Sequence, residues 1–189
     1  MGKVVVTEFI SLDGVVEDPG GSESFKYGGW TFEFQTGDEF VTFKLGELQA
    51  SDAQLLGRVT YDGFAKAWPT MEGTGDFGVK MNSMPKYVVS STLTDPTWEN
   101  TTVISADLPT EVAALKERYE RDILVQGSAR LVQGLLEHDL VDELHLMVYP
   151  VVLGSGKRLF GETSGKRRLA HVESKQLGDG VAIEIYAKP

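Results

Sequence analysis

The stretch ILVQGSARLVQGLLEHDLVDELHLMV, residues 123–148, contains both structural regimes of this chain. Ile123 to Val125 is a short, wholly apolar run that ends in Gln126, Gly127 and Ser128, the pattern of a buried strand. Leu131, Leu135 and Leu136 then share one helical face, so a helix follows the glycine turn. After Asp139 the period changes. Leu144, Leu146 and Val148 alternate with Glu143, His145 and Met147, as in a half-buried strand. A strand–helix unit here gives way to strands alone.

The flanking sequence follows the same division. Upstream, Val4 to Ser11 is a β-branched strand ending at Asp13-Gly14, with a second turn at Asp18 to Gly21. A loop with Gly28, Gly29 and Trp30 leads to a helix from about Asp38 to Ala50, where Val41, Leu45 and Leu48 share a face. Ala53 to Leu56 is a strand stopped by Gly57, and Thr60 is placed to cap a helix that ends at Trp68-Pro69. Met71 to Ser83 is Gly-rich and polar and reads as a surface loop. Tyr87 to Ser90 and Thr102 to Ser105 are strands, and Pro109 to Tyr119 is a helix. Downstream, His171 to Leu177, a turn at Gly178-Asp179-Gly180, and alternating Val181, Ile183 and Ile185 form a hairpin. The expectation is one α/β domain over 1–189: a mostly parallel central sheet flanked by helices, with antiparallel C-terminal edge strands.

The composition excludes several function classes. Among 189 residues, 28 Asp+Glu against 18 Lys+Arg give a net charge of −10, and cysteine is absent. Disulfides, thiolate metal sites and a cysteine nucleophile are ruled out, which fits a cytoplasmic protein. The acidity argues against a nucleic-acid partner, although Lys166, Arg167 and Arg168 form a local basic patch. No apolar run is long enough for a membrane helix. His138, His145 and His171 lack metal-ligand spacing, so no metal is expected, and His145 reads as a surface or interface histidine. Glu137, Asp139, Asp142 and Glu143 read as solvated charge. Gly154-Ser155-Gly156-Lys157-Arg158 is not a phosphate loop: Val151 occupies the required glycine position and Arg158 the Ser/Thr position.

Ligands of open α/β sheets bind where parallel strands give way to helices, and three segments have that form. Gly57, Arg58, Val59 and Thr60 combine close backbone approach, a guanidinium fork and a hydroxyl at a helix N-terminus. Ser90 and Ser91 follow a buried strand. Gln126, Gly127, Ser128, Ala129 and Arg130 form a glycine turn opening a helix, with free N–H groups for an anion. Together they suit a dinucleotide, although Ala129 breaks the GxGxxG fingerprint. Phe9, Trp30, Phe34 and Phe40 are candidates for walls against a planar substrate.

Residues 10–14 (ISLDG), 51–57 (SDAQLLG), 127–144 (GSARLVQGLLEHDLVDEL) and 149–156 (YPVVLGSG) occur in an order similar to the dihydrofolate reductase-like superfamily. The resemblance is closest to the reductase domain of the bifunctional riboflavin-biosynthesis deaminase/reductase and its stand-alone relatives, and it spans nearly the whole chain. The PCxxC signature of the zinc deaminase half is absent, since the sequence contains no cysteine.

The resemblance implies an NADPH-dependent reductase. By position it assigns Arg58, Val59 and Thr60 to cofactor phosphates, Ser90 and Ser91 to the adenosine 2′-phosphate, Gly127, Ser128 and Ala129 to the pyrophosphate, and Val16 to the nicotinamide. Asp38 or Glu39 lies near the position of the acid that supports pterin protonation in dihydrofolate reductase, although charge favoured by the dipole at a helix N-terminus also explains both. Riboflavin-pathway reductases usually carry two arginines gripping the ribose phosphate. The corresponding stretches here read Glu47 to Ala50 and Asp62 to Trp68, which points to a more apolar substrate. Three readings follow. One is hydride transfer to a small pterin- or pyrimidine-like heterocycle, and a second is reduction of 5-amino-6-(5-phosphoribosylamino)uracil itself. The third is a non-catalytic NADP(H)-sensing module. A homodimer through the edge strands is expected.

Overall fold

A computed structural model describes residues 1–162 and 165–189. The strands are β1 (Val4–Ser11), β2 (Ser51–Gly57), β3 (Lys86–Val89), β4 (Thr101–Ile104), β5 (Asp122–Gln126), β6 (Glu143–Tyr149), β7 (Ala170–Leu177) and β8 (Val181–Ala187). The helices are α1 (Gly37–Ala50), α2 (Arg58–Ala67), α3 (Gly75–Ser83), α4 (Leu108–Arg118) and α5 (Ala129–Glu137). The strands form one sheet in the order β4-β3-β2-β5-β1-β6-β8-β7. It is parallel from β4 to β6, and β8 and β7 are added antiparallel.

Alternation along β1 sends Val4, Val6 and Ile10 into a core under α4 and α5, and Val5 into a second core under α1, α2 and α3. A third apolar cluster continues the α1 side over β6 and β8, with Tyr149 at its centre. Trp30 meets Tyr149 edge-on at 5.3 Å, and Phe34 does so at 5.5 Å.

The structure corrects the sequence reading in several places. Residues 75–83 are helical, not loop. Gly78 permits that turn, because a Cβ there would lie 1.9 Å from Thr74 Oγ1, and Met81 buries against Leu48 and Trp98. The second helix begins at Arg58 with Gly57 as its N-cap, so Thr60 lies inside the first turn. On α1, Val41 is exposed, and the helix instead buries Lys44 and Glu47 beside Leu48. The acidic run near 140 is not simply solvated: Asp142 Oδ2 accepts from the Val4 N–H at 2.7 Å and pairs with Lys116 at 2.5 Å.

The buried charges of α1 form a network with the sheet. Lys44 Nζ donates to Glu47 Oε2 at 2.6 Å and to Thr7 Oγ1 at 2.8 Å. His145, paired in register with Thr7, places Nδ1 2.6 Å from Glu47 Oε1. His145 is therefore a half-buried partner of Glu47, not a surface histidine. Burial opposes its charge. Hydrogen bonding and attraction to Glu47, supported by Glu143, outweigh that and raise its pKa above the ordinary 6.5.

Two backbone-directed ties complete the frame. Asp13 accepts from the N–H groups of Leu153 (3.1 Å) and Gly154 (2.9 Å), locking the SLDG turn onto the LGSG segment. The hydrogen bond from Ser11 Oγ, opposed by partial burial and reinforced by these two amides, holds Asp13 down to about 2. Lys86 Nζ, buried over the Trp98 ring, donates to the carbonyls of Asn82, Met84 and Glu99 and ties β3 to the end of α3.

Three substitutions test this frame by stability. Asp13→Ala removes charge-assisted bonds to two amides and should cost about 2–3 kcal/mol in denaturant unfolding at neutral pH. Because the folded pKa of Asp13 is depressed, its contribution is present above the ordinary 3.8 and is lost as pH falls toward about 2, so the mutational difference should shrink across that window. Lys44→Met strips Glu47 of its main cationic partner and should cost about 3–5 kcal/mol. The His145–Glu47 contribution has the opposite pH sign: full below 6.5 and lost as pH rises through the raised value. Replacing His145 with Gln should flatten that limb of the stability–pH curve.

Candidate active-site cleft

β1 pairs with β5 only as far as Thr7↔Gln126, whereas its pairing with β6 runs on to Ser11↔Tyr149. Beyond Gln126 the chain turns into α5. The side of β1 facing β5 therefore opens at Glu8, and a cleft of about 750 Å³ lies there. It is reached from both faces of the sheet, with Thr7, Phe9, Lys44 and Met147 lining it on one side and Val16, Glu8 and Leu131 on the other.

The floor is made of two helix N-termini. Gly57 N–H donates to Ser128 Oγ at 2.9 Å, which joins the start of α2 to the start of α5. The approach is close: a Cβ on Gly57 would meet Ser128 Cβ at 3.2 Å, and one on Gly127 would meet Thr60 Oγ1 at 3.2 Å. Gly127 and Ser128 both have left-handed backbones, with φ of 59° and 69°. Neither helix has a side-chain N-cap or an acid in its first turn. The orphan N–H groups and aligned dipoles of the two first turns can therefore attract an anion. Arg58 stands at its edge, with Nε on Asp62 (2.8 and 2.9 Å) and NH1 3.3 Å from Thr92 Oγ1.

The opposite wall is a loop folded around Asp18. Its buried carboxylate accepts from the backbone N–H groups of Ser22, Glu23 and Phe25. Lys157 clamps this wall to the 154–158 segment through Glu17 at 3.2 Å and Glu23 at 3.5 Å.

Most residues singled out from the sequence converge on this cleft. Phe9, Val16, Gly57, Arg58, Val59, Thr60, Gln126, Gly127, Ser128, Ala129 and Arg130 all line it. Others do not. Asp38 and Glu39 are exposed at the start of α1 away from the cleft, where Glu39 reaches Lys175 on β7 at 3.5 Å. Helix-terminal charge is what these two residues represent. Trp30, Phe34 and Phe40 belong to the aromatic core around Tyr149, because that cluster fills the space between α1 and β6. The Ser90 hydroxyl accepts from the N–H groups of Thr92 and Leu93, so it is engaged in its own turn. Ser91 is exposed just beyond Val89, the β3 residue that lines the cleft. Sequence reasoning missed Glu8, Lys44 and Lys157. The signal for Glu8 was an acid interrupting the apolar run VVVTEFI at a position whose alternation points into the core.

Comparison with known proteins agrees with this architecture. The RibD C-terminal domain family matches residues 2–183. Uncharacterized protein YwjB of Bacillus subtilis (strain 168) is 30% identical over 183 residues, covering 96% of this chain and 95% of its own. Uncharacterized protein YyaP of the same strain is 28% identical over 188 residues, covering 97% and 94%. Among solved structures, a putative riboflavin biosynthesis protein from Shewanella sp. PV-4 superposes with a TM-score of 0.79 at 22% identity, covering 99% of both chains. Acinetobacter baumannii RibD superposes with 0.69 at 16% identity, over all of this chain and 58% of its own. A pyrimidine reductase-like protein from Corynebacterium diphtheriae gives 0.60 at 15%, covering 98% and 91%. The mostly parallel sheet with antiparallel C-terminal strands is the dihydrofolate reductase-like fold of these neighbours, and the chain belongs to the RibD C-terminal domain family.

Proposed function

We propose that this protein is an NADPH-dependent reductase that transfers a hydride to a small, planar heterocyclic acceptor. The joined, uncapped N-termini of α2 and α5 beneath one cleft carry this reading. They offer the paired amide donors that a pyrophosphate needs, and the reductase-type family supports it. Once bound, the nicotinamide would supply the hydride. The chain supplies placement: Gly57 and Gly127 let the backbone approach, and Arg58 offers its fork to a further phosphate. Val16, Phe9 and Met147 exclude water on the β1 side. The Shewanella neighbour is a putative riboflavin biosynthesis protein and the Corynebacterium neighbour is pyrimidine reductase-like. A pyrimidine of the riboflavin pathway, 5-amino-6-(5-phosphoribosylamino)uracil, is therefore one acceptor for testing. A second copy pairing along β7, the sheet's outer strand with residues 170–176 exposed, completes the proposal as a homodimer.

Titration with NADPH, followed by nicotinamide fluorescence, should saturate in the micromolar range, and Arg58→Ala should weaken NADPH far more than NADH. Equal loss for both would remove the 2′-phosphate role, and no binding at all would end the reductase reading. A panel of dihydropterins, aminouracils, flavins and quinones then separates turnover from binding alone, since a sensing module would oxidise no cofactor with any of them. Sedimentation velocity should show a dimer that Val172→Asp on β7 converts to monomer.

A further inference from the structure

Glu8 is a cleft residue whose chemistry the binding scheme leaves unused. It lies on β1 immediately past the last residue paired with β5, where the cleft begins. The side chain is buried, and Oε1 has no hydrogen-bond partner among the described residues. A buried carboxyl with an unused oxygen at a ligand cleft is expensive as an anion and cheap as an acid. Nothing about β1 requires it. The same face carries Val4, Val6 and Ile10, and an apolar residue at 8 would complete that stripe.

We propose that Glu8 is the proton donor of the reduction, and that the acceptor therefore carries a C=N or C=O bond whose heteroatom reaches Glu8. The proposal rests on the reductase reading. The ring carbon takes up a hydride with its electron pair from the reduced nicotinamide, and the π pair moves onto the nitrogen or oxygen. That atom receives the Glu8 proton, which leaves an amine or alcohol, oxidised nicotinamide and a Glu8 carboxylate. Water entering after product release returns the proton.

The surroundings suit both protonation states. Burial raises the Glu8 pKa to about 8, so the acid form dominates at neutral pH, and Lys44 on α1 pulls in the other direction. Lys44, held by Thr7 and Glu47 on the α1 side of β1, favours the carboxylate left after transfer through its charge alone. The other charged side chains around the cleft are Glu17, Asp18 and Glu23 on the loop, Arg58 and Arg130 at the helix starts, and Lys157. Glu17 and Glu23 are paired with Lys157, and Asp18 is engaged by backbone amides. An acid of this kind typically contributes about 100-fold or more to the rate.

The test begins without cofactor. In protein labelled with ¹³C at the glutamate carboxyl carbon, one resonance should titrate near pH 8 and vanish in Glu8→Gln. If every glutamate titrates in the ordinary carboxylate range, the proposal is overturned. In stopped flow with NADPH and the acceptor found from the panel above, Glu8→Gln should bind NADPH within about threefold of wild type. It should slow hydride transfer by at least about 100-fold, and Glu8→Asp should recover part of the rate. In the wild type the rate should fall as pH rises through 8, and that dependence should be absent in Glu8→Gln. An unchanged rate in Glu8→Gln overturns the proposal while leaving the reductase reading standing. Wild-type protein that fails to bind NADPH overturns the reductase reading, and the carboxyl titration still reports on Glu8 separately.

Discussion

The length mismatch between β1 and β5 is the constraint on which the rest of the molecule depends. Both strands start together at the base of the sheet, and β5 stops at Gln126 because Gly127 and Ser128 turn left-handed into α5. β1 continues to Ser11 because β6 still pairs with it. A cleft follows from that geometry, and so does its chemistry. The early turn points the α5 N-terminus at the gap, the Gly57–Ser128 bond brings the α2 N-terminus beside it, and the unpaired length of β1 sets the buried Glu8 against the cleft.

Holding β1 in place against this gap requires support from its other side. α1 gives it through Lys44 and Glu47, which reach Thr7 on β1 and His145 on β6 within one hydrogen-bonded group. A purely apolar contact would serve packing as well or better. An ionic contact fixes the rotation of α1 about its axis and the relative register of β1 and β6, because only one alignment satisfies every charge.

The legible part of the sequence was the part written in local chemistry. Gly57 and Gly127 end apolar runs and open helices, so both the strand ends and the helix starts could be read from neighbours in the chain. Period-2 alternation likewise gave β6 and β8. What stayed hidden depends on contacts distant in sequence. Lys44 and Glu47 look like ordinary charges on an exposed helix until His145, some hundred residues away, is placed against them. The 75–83 helix was masked by its glycines, of which Gly78 serves close packing against Thr74. Asp38 and Glu39 were drawn in by position relative to a related enzyme, and their side chains face solvent.

The Asp13 tie makes the two walls of the cleft unequal in their tolerance of change. The α2–α5 side consists of backbone amides at fixed helix ends, where almost any drift would disturb the geometry. The other side is two surface loops, residues 14–30 and 151–159, fastened to each other by Asp13, the Val16 and Leu159 backbone bonds and Lys157. Loops anchored at a few points can exchange residues between those anchors without unfolding the sheet. Descendants of this chain could therefore reshape that wall of the cleft while leaving the helix-end wall unchanged, through substitutions between the anchors of those two loops.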